Sequence, residues 1–131
     1  MRVIPVIYWP QSGAGRLNEQ PITFGATLST GNFVVINSPL GGAGDPSSQV
    51  TIYDGFVAGE RAMVLGGPGA NAVVGSNVNL GSGAILDRSS VGANSTIGPR
   101  AYIARSRLPE GTVVPPNAII IDNRPRGTVQ W

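Results

Sequence analysis

The chain has 131 residues, with 19 glycines, 11 prolines, 41% hydrophobic and only 12% charged residues, which points to one domain that uses glycine and proline at regular positions. Its nine basic residues are all arginine; with no lysine, histidine or cysteine, disulfide, thiolate and imidazole chemistry are excluded. A net charge of +2 is too weak a field to steer nucleic acid, and no apolar stretch approaches the ~20 residues of a membrane span.

Residues 1–21 read as an N-terminal capping segment. Val3, Ile4, Val6, Ile7 and Tyr8 suit an extended strand covering one open end of a stacked fold. Pro5 interrupts this run, which has neither a long apolar region nor a small-residue cleavage site, so it is not read as a signal peptide. A cytoplasmic location is the expectation.

Residues 22–121 carry a repeat. From Phe24 onward a small or apolar residue recurs every six positions: Phe24, Thr30, Ile36; Ile52, Ala58, Val64; Val74, Leu80, Leu86; Val91, Ile97, Ile103; Leu108, Val114, Ile120. Helical faces recur at 3.6 residues and pleated faces at 2, so neither explains a step of six. A short strand followed by a corner does. The apolar residue points inward, and the glycine that often follows it (Gly25, Gly31, Gly75, Gly81, Gly92, Gly98) is expected to turn the chain. Three units make a triangle, and the sets make five stacked coils ~4.8 Å apart. The expected fold class is all-β, a left-handed parallel β-helix with no long C-terminal helix. Asn77, Asn94 and Gly83 are expected at corners with positive φ.

Two breaks interrupt the period. Residues 37–49 are a Gly/Pro/Ser excursion, and residues 66–71 are a shorter one. Insertions in solenoids gather on one face, often the binding face. Residues 122–131 read as an extended tail or a hairpin around Asn123 to Gly127.

The run Val50-Thr-Ile-Tyr-Asp-Gly-Phe-Val-Ala-Gly-Glu-Arg-Ala-Met-Val-Leu-Gly66 resembles the γ-class carbonic anhydrases of the hexapeptide-repeat superfamily. Phe24 to Asn37 and Leu108 to Ile121 are similar to two further segments of that family. The resemblance implies a trimer whose family members hold zinc between subunits with three histidines. Those positions fall here on Asn37, Glu60 and Leu65, a degenerate set that cannot ligate zinc, so no cofactor is expected. Arg16, Glu60 and Arg61 are the candidate inter-subunit contacts, with Glu60 either pairing across a boundary or forming a solvated pair with Arg61. The chain also resembles hexapeptide acyltransferases in its period, but those use a histidine base. Glu60, Asp54 and Asp87 are the carboxylates left for such a role.

Further candidates carry two readings each. Arg88, Arg100, Arg105 and Arg107 either grip an acidic partner or nucleic acid or form a solvated corner column. Trp9, Trp131 and Tyr102 are interface anchors or end caps. Asn37 with Ser38 is a candidate small-ligand contact. The resulting expectation is a non-catalytic structural or assembly protein, a homotrimer or a heterotrimer with a related subunit, able to join a larger protein assembly. The alternatives are a divergent anhydrase or acyltransferase, and a small-anion binding module.

Overall fold

The computed structural model describes residues 6–8, 22–25, 27–31, 34–37, 50–66 and 72–128. The chain winds through three sheets in a fixed cycle. The first coil is β2 (Ile22–Phe24), β3 (Leu28–Thr30) and β4 (Val34–Asn37). The second is β5 (Val50–Ile52), β6 (Phe56–Ala58) and β7 (Met63–Leu65), and the third is β8 (Ala72–Val74), β9 (Asn79–Leu80) and β10 (Ile85–Asp87). The fourth is β11 (Ser90–Val91), β12 (Thr96–Ile97) and β13 (Tyr102–Ala104), and the fifth is β14 (Arg107–Leu108), β15 (Val113–Val114) and β16 (Ala118–Ile121).

The first strand of every coil lies in sheet B, the second in sheet C and the third in sheet A. All pairings between coils are parallel. The fold is a left-handed parallel β-helix, and the described residues contain no helix. None is therefore long and apolar enough to cross a membrane.

The six-residue period is the register of this stack. Phe24, Ile52, Val74, Val91 and Leu108 align in sheet B. Thr30, Ala58, Leu80, Ile97 and Val114 align in sheet C. Ile36, Val64, Leu86, Ile103 and Ile120 align in sheet A. Stacking identical positions keeps every apolar side chain over another one, so the core is a continuous column.

A second set of inward residues sits two positions earlier in each unit. At the corner before sheet A these are Val34, Ala62, Ala84, Ala101 and Ala118, all buried. Phe56 fills the corner before sheet C in the second coil, and Val78 and then Ser95 occupy its place in the next two. The upper coils thus exchange apolar corners for hydroxyls. Buried Ser95 donates to the Gly92 carbonyl at 2.8 Å and accepts the Thr112 amide at 3.1 Å, tying the fourth coil to the fifth.

The corners turn differently from the sequence expectation. The glycine after the inward residue does not make the turn; it is there because the next coil passes too close for a side chain. A Cβ on Gly81 would lie 2.6 Å from the Pro99 nitrogen. The left-handed residue comes two positions later, as at Asn77 (φ 59°), Gly83 (φ 72°) and Asn94 (φ 62°). Four arginines also take this conformation: Arg61, Arg88, Arg100 and Arg105, with φ of 62°, 51°, 62° and 48°.

At the two ends, β1 (Val6–Tyr8) pairs in parallel with β4 and extends sheet A below the first coil. β17 (Arg124–Thr128) folds back antiparallel on β16. The turn between them, Asp122 and Asn123, has positive φ at both residues, 53° and 66°, which matches the twist of a tight hairpin. Asn37 belongs to β4, so the excursion begins after it. The expected roles of Arg16, Ser38, Trp9 and Trp131 lie outside the described residues.

Candidate functional site

Sheet A separates the degenerate metal-site positions. Asn37 and Leu65 are register neighbours at the end of sheet A, where its strands leave for sheet B. Glu60 is on the opposite edge, at the corner that enters sheet A. Within one chain, therefore, the three positions do not converge. Glu60 instead borders a shallow hollow of about 190 Å³ with Arg61, Ser82, Gly83 and Arg100. No group of three His, Cys, Asp or Glu side chains gathers among the described residues.

The arginines are sorted by corner. The sequence suggests one region of Arg88, Arg100, Arg105 and Arg107, but the coil divides them. Arg100 stacks two rungs above Arg61 at the corner between sheets C and A. Arg88 and Arg105 occupy adjacent rungs at the corner between sheets A and B, and Arg107 follows on the outer face of sheet B. The cause is the 17-residue separation of stacked positions such as Arg88 and Arg105, which Arg100 does not share. A composition cluster in sequence is therefore not a cluster in space.

Around the A–B corner lies a cleft of about 690 Å³ lined by Val73, Arg88, Ser90, Arg105, Ser106, Arg107 and Asn123. The Arg88 guanidinium donates to both Asp87 carboxylate oxygens, at 2.9 and 3.3 Å, and this hydrogen bond with the neighbouring charge raises the arginine pKa. Arg105 donates to Asp122 at 3.1 Å, which lowers the carboxyl pKa of Asp122. That pair is exposed and contributes little to stability.

Asp87 also accepts a hydrogen bond from the Tyr102 hydroxyl at 3.1 Å. Burial, then the Asp87 charge and this bond, hold the Tyr102 hydroxyl above its ordinary pKa of 10.0. Tyr102 is thus a mid-sheet residue and not an end cap. Asp87, one of the three carboxylates left as a base, is occupied by two donors. Asp54 sits at the corner between sheets B and C, far around the triangle from Asp87.

Sequence reasoning missed the serine ladder behind this cleft. Ser89, Ser106 and Asn123 stack at the same corner, and each of the two buried serine hydroxyls accepts the backbone N–H of the rung above, at 3.2 and 2.9 Å. The signal was present as Asp-Arg-Ser-Ser, Ala-Arg-Ser-Arg and Asp-Asn-Arg recurring one coil apart.

Among solved structures the chain is similar to a hexapeptide-repeat-containing acetyltransferase of Vibrio cholerae O1 biovar eltor, determined in complex with acetyl coenzyme A. The two share 16% identity over 95% of this chain and 72% of that chain, with a TM-score of 0.40. No family model matches the chain. No curated protein sequence matches it.

Proposed function

We propose that this chain is a non-catalytic assembly module: a β-helix that associates through the outer face of sheet A into a ring, in the manner implied by its resemblance to γ-class carbonic anhydrases but without their zinc chemistry. One observation carries the proposal. Of the two outward columns of sheet A, the first, Val35, Met63, Ile85, Tyr102 and Ile119, is hydrophobic or aromatic at every rung and half-buried in the single chain, while the second includes Asn37 and Asp87. The corresponding column of sheet B is Thr51, Val73, Ser90 and Arg107, and that of sheet C is Ser29, Val57, Asn79, Thr96 and Val113. Both of those mix polar and apolar residues. A contiguous apolar stripe on one face alone is the pattern of a contact surface.

The placement of the degenerate site agrees with a ring. Glu60 lies at one edge of this face, and Asn37 and Leu65 lie at the other. A head-to-tail contact between copies brings opposite edges together, and rotation by one third of a turn closes it. In such a ring Glu60 faces the neighbour's edge, and Arg61 is beside it. The chain has no histidine to place there, and neither an amide nor an isobutyl group can replace imidazole on zinc.

Light scattering coupled to size exclusion tests the proposal: the wild-type chain runs as a trimer, and Ile85→Arg, which puts a charge in the middle of the stripe, runs as a monomer with an unchanged β-sheet spectrum. A wild-type monomer overturns the ring. Stoichiometric zinc together with CO₂ hydration, or histidine-independent acyl transfer, overturns the non-catalytic part.

A further inference from the structure

We infer that the cleft at the corner between sheets A and B is a binding site for a tetrahedral oxyanion, the phosphoryl or sulfuryl class; this goes beyond the assembly reading and does not rest on it, since the cleft opens toward sheet B. Its lining contains three guanidinium groups, the hydroxyls of Ser90 and Ser106 and the Asn123 amide, and no carboxylate. The acidic neighbours Asp87 and Asp122 are outside the lining and pair with Arg88 and Arg105, which leaves Arg107 as the lining guanidinium outside those pairs. Arg107 is exposed and makes no ion pair among the described residues. The Asn123 carbonyl oxygen is taken by the Arg107 amide at 2.7 Å, which leaves its NH₂ as a donor. Guanidinium groups with amide and hydroxyl donors are the set that recognises phosphate oxygens.

The backbone supplies an independent observation. Arg88 and Arg105 both have left-handed φ, 51° and 48°, on adjacent rungs. That conformation is unfavourable for any residue with a Cβ. Neither side chain is repaid by burial, since Arg88 is 32% exposed and Arg105 47%. At the corner between sheets B and C the same task falls to Gly55, Asn77, Asn94 and Gly111. At the corner between C and A, Gly83 separates Arg61 from Arg100 and Glu60 joins the lining, so that hollow is not purely a donor surface. Arg88 and Arg105 keep guanidinium N–H groups beyond those that Asp87 and Asp122 accept, and with Arg107 these are the donors that a dianion in the A–B cleft meets. The serine ladder beneath fixes the spacing of the rungs that present the donors.

The volume of about 690 Å³ is that of a site for a small organic molecule and exceeds the needs of a lone ion. Inorganic phosphate, sulfate and ribose 5-phosphate, each titrated calorimetrically into the full chain at constant ionic strength, separate the two sources of the anion. Saturable binding at one site per chain is the expected result. Equal affinity for all three identifies a free oxyanion site, and tighter binding of the sugar phosphate identifies a phosphomonoester site; both support the inference. Arg107→Gln, on an outward strand position, weakens binding about tenfold or more, the scale of a hydrogen bond to a charged group. Arg88→Asn with Arg105→Asn, which keeps the left-handed corners, abolishes it, while Arg100→Asn leaves it unchanged. Amide shifts on adding phosphate to the wild-type chain fall on residues 88–90, 105–107 and 122–124, and this measurement does not depend on any variant folding. No saturation at millimolar concentrations, shifts centred on Arg61 and Arg100, or affinity undiminished in Arg107→Gln would overturn the site.

Discussion

The Ser106 amide donates to the Ser89 hydroxyl one rung below it at 3.2 Å, inside the A–B corner where both residues are buried. The same Ser89 hydroxyl donates to the Asp87 carbonyl at 2.9 Å. A side chain here does the work that a ladder hydrogen bond does within the strands. Ser89→Ala leaves the buried Ser106 N–H without this partner, at a cost of about 1–3 kcal/mol. Urea unfolding measures it, and a change within error of zero would mean that water or a shifted backbone replaces the hydroxyl.

Gly98→Ala tests the close approach between coils. Its Cβ would meet the Pro116 nitrogen at 2.5 Å, a backbone atom that cannot swing aside as a side chain could. Relieving that contact separates the fourth and fifth coils, and overpacking of this type costs roughly 1–3 kcal/mol. The thermal midpoint falls accordingly. If Gly98→Ala is as stable as the wild type, the coils are not held at the spacing described.

Asn94 separates backbone from side-chain effects at a corner. Its φ is 62°, and its side-chain bonds to Asn77 and Glu110 are exposed and long, at 3.5 and 3.4 Å. Asn94→Ala therefore costs about 1 kcal/mol through the left-handed backbone alone. Asn94→Gly, which lacks the Cβ penalty, stays within a few tenths of a kcal/mol of the wild type. Equal losses in both variants would assign the effect to the side chain.

Alkaline pH reads the Tyr102–Asp87 contact. Because the Tyr102 pKa is raised in the folded chain, the unfolded chain releases this proton first, starting near the ordinary value of 10.0. The native state then binds more protons than the unfolded one, so stability falls as pH rises through that range. A series of melts from neutral to alkaline pH shows a smaller decline for Tyr102→Phe than for the wild type. Parallel declines would mean that another group is responsible.

The stack itself was legible in the residues. A spacing of six places one inward side chain on each face of a triangle, and a constant coil length keeps Val74, Val91 and Leu108 in register without any further instruction. Asn77 and Asn94 announced the corners because few other side chains accept positive φ. The arginine corners were not legible, since nothing in the chemistry of arginine marks a left-handed backbone. Nor was the second inward column, because alanine and serine at Ala62, Ala84, Ser89 and Ser95 are as common on surfaces as in cores.

The degenerate zinc positions were identified by resemblance, and their separation across sheet A follows only from the winding. Residues Glu60 and Leu65 are close in sequence, yet an extended strand carries them to opposite edges of a face. The A–B cleft is likewise a product of stacking: it joins Arg88, Arg105 and Asn123, which the chain spaces a coil apart.

By itself the sequence determined the repeat, the winding into coils and the absence of imidazole, because periodicity and residue type are local properties. Only the tertiary structure decided which arginines meet, which outward column is hydrophobic or aromatic at every rung and which partners the carboxylates take. Those depend on which residues the stacking brings one strand spacing apart, and that distance in space is set by coil length, not by neighbourhood along the chain.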